Sequence, residues 1–295
     1  MIEFRPLTLD DRGLIQRLVR ADGRIDCEYS FGNMFCYTAV CDVQIAETNG
    51  CFTVKYFMPG FVCYTFPVGT GDRAAAVADV LTDADRAGCD AYFFGLTAED
   101  KALLETAYPG RFEIRPSRDE ADYVYRREDL AALHGKKYQS KRNHISFFMR
   151  NHIWSYEPIT AENKAECLAM SRQWLEQNVN DDREGVETEL KLITLAFEHY
   201  DALGFSGGLV RSEGGVVAYC MGEPLSDDVF CVHFEKAFAD IRGAYAVINR
   251  QFAEHALQDY TYVNREDDAG QENLRISKQS YHPAFLVETY GVRLN

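Results

Sequence analysis

Apolar positions in this chain recur with two periods, and the switches between them mark out its elements. Over 8–20, Leu14, Ile15, Leu18 and Val19 fall at helical spacing behind Thr8 or Asp10, either of which can cap the first turn. Residues 43–47 and 51–57 flank a Thr48-Asn49-Gly50 turn, a strong hairpin signal. Runs at 61–66 and 91–96 read as further strands, and 72–87 and 98–107 as helices, the second stopped by Pro109 and Gly110. Short strands follow at 112–114 and 122–125. The stretch 29–37 is too aromatic for an exposed loop and is expected to line the core or a cleft of the first half.

Residues 127–151 carry a helical pattern broken at His134 and Gly135, which reads as a basic helix linking two halves. Beyond it come a strand at 154–157, a helix capped by Thr160 with Glu162 and Asn163 in its first turn, and a helix over 186–203. A hairpin turns at 212–215, a strand spans 229–236, and a helix covers 244–258. A strand at 261–264, a helix at 271–280 and a last strand at 285–290 complete the pattern. Each half shows helix, antiparallel strands, helix, strand, helix, strand, unlike the repeated βα order of dinucleotide-binding domains. The expectation is an α/β (α+β) chain with mixed, largely antiparallel sheets: one domain at 1–126, a linking helix at 127–152 and a second domain at 153–295.

Composition narrows the function classes. The 295 residues are 46% apolar, enough for packed cores and too many for a disordered chain. A net charge of -15 argues against non-specific binding to DNA or to an anionic membrane. Against that background Lys136, Lys137, Lys141, Arg142, His144 and Arg150 form a basic island. The nine cysteines include no CxxC pair, so they read as reduced core residues of a cytoplasmic protein. The start of the chain lacks a signal-peptide pattern and no run of 18 apolar residues occurs, so no integral membrane association is expected.

Candidate chemistry gathers at the ends of apolar runs. Lys137, Lys141 and His144 stand at i, i+4 and i+7 on one helical face, with Arg142 beside them. Such a row could neutralise a phosphate, a nucleotide or the backbone of a tRNA acceptor stem, or could simply be a solvated face paired with acids. His233 and Glu235 alternate onto one side of a strand, with Lys236 on the other. They could form a general base, or a structural pair at the end of a sheet. Cys231 shares that side and reads as buried filler more readily than as a nucleophile. Asn264, Arg265, Glu266 and Asp267 follow a strand and could grip a substrate ammonium, or could shape a capping loop. No metal is expected, because the spacing matches no metal-binding motif. Lys278 and Tyr281 end the next helix.

Four strings carry a resemblance: GKKYQSKRNHI at 135–145, HFEKA at 233–237, VNREDDAG at 263–270 and SYHP at 280–283. With them, most of the chain resembles the phosphatidylglycerol lysyltransferase C-terminal-like family. The resemblance implies two tandem acetyltransferase-like (GNAT, acyl-CoA N-acyltransferase-like) domains. It also implies an acyl- or aminoacyl-transferase acting on a small amine or hydroxyl acceptor, with acyl-CoA or charged tRNA as donor. Tyr281 is implied, by position, as general acid to the leaving group. The usual coenzyme A signature of that fold is Gln/Arg-x-x-Gly-x-Gly/Ala. Here 235–245 reads EKAFADIRGAY, with Arg242 and Gly243 present but without the glycine spacing. A helix N-terminus there could still hold phosphate. The alternative is a non-catalytic small-molecule-binding module that keeps the fold, which the missing glycine signature favours.

Overall fold

The computed structural model describes residues 2–178 and 183–294, and the chain divides into two compact units. The first consists of Met1–Tyr123, Glu266–Arg275 and Leu286–Asn295; the second consists of Val124–Arg265 and Ile276–Phe285. The sequence pattern puts all of 153–295 in one domain, whereas two of its later segments belong to the first unit. Local periodicity identifies an element but carries no information about which core a short segment joins.

Among the described residues the first unit holds an eight-stranded sheet. Its main path runs Arg5–Pro6, Asp42–Thr48, Cys51–Met58, Phe61–Thr65, Tyr92–Leu96, Tyr290–Leu294, Phe112–Pro116, with Val68–Gly69 paired to Cys51–Met58. Only Phe61–Thr65 and Tyr92–Leu96 run parallel in it. The expected hairpin is present: Thr48 pairs with Cys51, and Asn49 and Gly50 both take positive φ, as a tight two-residue turn requires. The Arg73–Ala87 helix starts where the Asp72 side chain accepts from the Ala75 amide at 2.9 Å, and ends at Gly88 in the left-handed region. Its Val77, Val80 and Leu81 pack with Phe66, Phe93 and Leu104 in the core. The aromatic stretch is largely helical, as Phe31–Cys36, and its Phe31, Met34 and Cys36 are core residues.

The second unit is built on a seven-stranded sheet in the order Phe285–Val287, Asp122–Arg126, Tyr262–Asn264, Val229–Ala237, Gly215–Pro224, Ser206–Ser212, Trp154–Pro158. Helix Ala244–His255 packs on the Ser206–Ser212, Gly215–Pro224 and Val229–Ala237 strands, as does Lys164–Asn178 on the last two of these. Lys236 and Glu235 point to opposite faces: Lys236 lies over Trp174 of Lys164–Asn178, while Glu235 is turned to Asn249 of Ala244–His255. Arg127–Ala132 and Gln139–Asn151 pack against Ala244–His255, so the expected linking helix is part of this unit's own core. That explains why Ala244–His255 is buried nearly all round. The helix expected after Thr160 begins only at Lys164, because the Asn163 side chain accepts from the Thr160 amide at 2.7 Å and donates to the Pro158 carbonyl, holding a turn. None of the nine cysteines is in a disulfide, and all but Cys41 and Cys89 are buried. No helix among the described residues is long and apolar enough to cross a membrane.

Candidate active site at the end of a parallel strand pair

Val229–Ala237 and Tyr262–Asn264 run parallel, and their pairing stops at Cys231 and Asn264. Beyond that point Val229–Ala237 continues to pair only with Gly215–Pro224 on its other side. The opening at the carboxyl end of parallel strands is a usual place for ligands in α/β folds. Here Arg265, Glu235, Lys141 and Tyr281 meet.

Arg265, the residue after the second strand, crosses the opening to Glu235. Its Nη2 donates to both carboxylate oxygens at 2.9 Å. The pair is largely buried, with the Arg265 side chain 11% and the Glu235 side chain 15% exposed. The Asn249 amide lies against it, and its oxygen, turned to the guanidinium, accepts from Nε and Nη1 at 3.2 Å each. Burial alone would favour loss of the Arg265 proton, but Glu235 together with Tyr125 and Tyr281 outweighs it and holds the guanidinium charged. The guanidinium lies 4.9 Å from the centre of the Tyr281 ring and 5.5 Å from that of Tyr125. Lys278 is buried, and its Nζ donates to the Arg265 carbonyl at 2.6 Å, fixing the backbone that aims the guanidinium.

Lys141 enters from Gln139–Asn151. Its Nζ stands 3.9 Å from the centre of the Tyr281 ring. Burial and the neighbouring Arg265 charge push its ammonium down to about 8, only partly opposed by Glu235. Tyr281 is buried and its phenol is pushed up, mainly by burial, so it stays protonated and neutral. Its carbonyl accepts from the Tyr138 hydroxyl at 3.1 Å.

Several expected site residues lie elsewhere or do other work. His233 does not pair with Glu235. Its Nε2 is 3.4 Å from Glu223 Oε1, its Nδ1 is 3.6 Å from Cys231 Sγ, and its side chain is 2% exposed. Period-two alternation puts His233 and Glu235 on one face, but Glu235 pairs with Arg265 while His233 lies against Glu223 of the neighbouring strand. Of the basic row, Lys141 reaches the cluster, while Lys137 is exposed and lies over the Tyr138 ring. Arg142 donates to the Leu133 and Gly135 carbonyls, satisfying the end of Arg127–Ala132 rather than facing a ligand. The His144 carbonyl packs against Gly243, where a Cβ would come within 2.4 Å of it. Arg242 lies 4.5 Å over the Phe147 ring. The Cα of Gly243, in the turn before Ala244–His255, is thus packed against a neighbouring helix.

Glu266 and Asp267 belong to the first unit. Their loop is held by Asp268, a fully buried carboxylate that accepts from Arg275, Arg118, the Tyr123 hydroxyl and the Gly270 amide. Asp267, Asp122 and Cys27 bring two carboxylate oxygens and a thiol within 4.8 Å of one another. Burial and Asp122 push the Cys27 thiol well up, and it donates to Asp122 at 3.1 Å.

Asn249, Glu223 and Tyr125 were not legible as site residues. Asn249 opens a polar triplet, Asn249-Arg250-Gln251, within a helix that is otherwise mostly apolar, and Glu223 is the next-to-last residue of its strand. Both are buried polar side chains, the signal that marks them once burial is known.

The chain matches the phosphatidylglycerol lysyltransferase C-terminal family over residues 22–293. A crystal structure of a conserved protein of unknown function from Bacteroides thetaiotaomicron VPI-5482 is 37% identical, with a TM-score of 0.95 and complete coverage of both chains. The C-terminal domain of a putative lysylphosphatidylglycerol synthetase from Agrobacterium fabrum is 14% identical, with a TM-score of 0.66 over 98% of this chain and 92% of that one. A tandem GNAT protein of clavulanic acid biosynthesis is 10% identical, with a TM-score of 0.53 over 100% of this chain and 98% of that one. A curated protein of Mycoplasmoides gallisepticum is 24% identical over 182 residues, which cover 59% of this chain and 56% of that protein. The match over nearly the whole chain, on a tandem GNAT-like fold, shows that this chain belongs to the phosphatidylglycerol lysyltransferase C-terminal family.

Proposed function

We propose that this protein is an aminoacyl transferase whose chemistry takes place where Val229–Ala237 and Tyr262–Asn264 part. The donor is aminoacyl-tRNA and the acceptor a small amine or hydroxyl. The single observation that carries this reading is the cluster of Arg265, Glu235, Lys141 and Tyr281 at that opening. When an acceptor attacks an ester carbonyl, negative charge gathers on the carbonyl oxygen and then on the leaving oxygen. The Arg265 guanidinium, held charged in a partly buried, preorganised setting, favours that charge more than it could in water. Family membership supports transfer of an aminoacyl group, since the family takes its name from a lysyltransferase. The missing glycine spacing at 235–245 supports aminoacyl-tRNA over acyl-CoA, whose pyrophosphate such a loop would cradle.

The test is to incubate the protein with bulk tRNA charged with labelled amino acids, or with acetyl-CoA. A panel of small amines and glycerol serves as acceptors. Acceptor-dependent loss of label from tRNA is expected, with no turnover of acetyl-CoA. Turnover of neither donor by folded protein would favour a second reading, a binding module on the same fold. The observation that favours this second reading is the closure of His233, which Glu223 and Cys231 hold away from solvent.

A further inference from the structure

Two cations lie over the Tyr281 ring, but only one of them has a carboxylate. Arg265 is bound to Glu235 through both carboxylate oxygens. Lys141 has its Nζ on the aromatic face at 3.9 Å, and no carboxylate lies within ion-pair distance of it among the described residues. Arg265 and Glu235 act on it from the strands, and Tyr281 from the segment after Glu272–Gln279. Nearby, Lys278 is turned to the Arg265 carbonyl, and Lys137 on its own segment lies over Tyr138. An ammonium that is half-buried, beside a second cation and without an anion of its own, is placed to give up its proton rather than to hold an ion pair.

From this geometry, and resting on the transferase reading, we infer that Lys141 is the proton-transfer residue of the reaction: the neutral amine takes the proton of the attacking N–H or O–H group and then returns it to the leaving oxygen. In the first half-step the new N–C or O–C bond forms to the ester carbonyl, the carbonyl π pair moves onto its oxygen, and the acceptor proton passes to Nζ. In the second the carbonyl re-forms, the bond from the acyl carbon to the ribose oxygen breaks, and that oxygen takes the proton from Nζ. Protons and electrons balance, and no further reactant is needed. Tyr281 supplies an aromatic face that tolerates both forms of Lys141, and Arg265 raises the cost of the charged one. A group that titrates near the working pH is the one suited to accept and donate in turn.

Two measurements on the intact protein decide this. The first is the rate at which an amine-directed acylating reagent labels each lysine as pH is raised, read by peptide mass spectrometry. Lys141 should reach half its limiting rate near pH 8; a Lys141 midpoint at or above 10 overturns the inference. The second compares Lys141→Arg and Lys141→Met with Lys136→Met in the charged-tRNA assay. Arginine keeps the charge but does not release its proton at working pH, so Lys141→Arg should lose about 10²- to 10⁴-fold in rate, as Lys141→Met does. Full activity in Lys141→Arg would assign Lys141 an electrostatic role and overturn the proposal. Because labelling needs no turnover, a low midpoint in a protein that transfers nothing would count against the transferase reading alone.

Discussion

Arg265 and Glu235 are thirty residues apart in sequence, yet one guanidinium nitrogen of Arg265 stands 2.9 Å from both oxygens of the Glu235 carboxylate. The pair bridges strands that have ceased to hydrogen-bond to each other. Removing one partner from a buried ion pair leaves the other charge unpaired, which costs about 3–5 kcal/mol. Glu235→Gln should therefore lower the denaturation midpoint substantially. Glu235→Leu combined with Arg265→Met should cost less than the sum of its single changes, because no charge is stranded. Additive losses in urea titrations would show that the two side chains are not coupled.

Lys141 makes a pH-dependent contribution whose sign is fixed. Its folded value is near 8 and its ordinary value 10.5, so between them the unfolded chain binds more protons. Stability from this group rises as pH climbs from about 8 to about 10.5, and below 8 the buried charge works against folding. Lys141→Met should accordingly gain stability relative to the parent, by on the order of 1 kcal/mol, at neutral pH. The gain should shrink to nothing by high pH. Chemical denaturation of both proteins at pH 6.5, 8 and 9.5 checks this, and a gap that widens with pH would contradict it.

Asp268 shows the opposite linkage. Arg275, Tyr123 and the Gly270 amide hold its carboxyl far below the usual carboxylate range. The stability it supplies is present above the ordinary carboxylate value and is lost as pH falls below that towards the folded one. Asp268→Asn should cost about 2–3 kcal/mol at neutral pH, since it weakens charge-assisted bonds to Arg275 and Arg118. The variant should also be less sensitive to acid than the parent between pH 4 and pH 2, measured by circular dichroism. Equal acid sensitivity would mean that another carboxylate controls that transition.

Gly243 sits at a φ of 97°, and a Cβ there would come within 2.4 Å of the His144 carbonyl oxygen. Gly243→Ala should lose at least about 2 kcal/mol, combining backbone strain with a clash against main chain that cannot rotate away. Gly214 has a similar φ of 88° with nothing within 4 Å of its would-be Cβ. Gly214→Ala should cost only about 1 kcal/mol. Thermal unfolding of the two variants separates strain from crowding, and equal losses would show that the contact with His144 carries no weight.

Much of the local structure was legible because short-range physics sets it. The Asn49-Gly50 turn needs positive φ and has the residues that tolerate it, and Gly88 closes the Arg73–Ala87 helix for the same reason. The polar strings at 135–145, 233–237, 263–270 and 280–283 supply residues of the proposed site. Of these, Lys141, Glu235, Arg265 and Tyr281 do meet in one unit, joined by Lys278 just ahead of the last string.

What the sequence by itself determined is the set of elements, the acidic balance and the family to which the motifs belong. Periodicity, turn chemistry and residue type are properties of neighbours along the chain. Only the tertiary structure decided the partners. His233 went to Glu223 and Glu235 to Arg265, although strand alternation alone made His233 and Glu235 a pair. It also returned Glu266–Arg275 and Leu286–Asn295 to the first unit, and packed Gln139–Asn151 onto Ala244–His255. Those outcomes depend on which buried polar groups come within about 3 Å of one another and on which apolar faces are left to cover. Both are set by contacts between residues far apart in sequence, about which a local pattern carries no information.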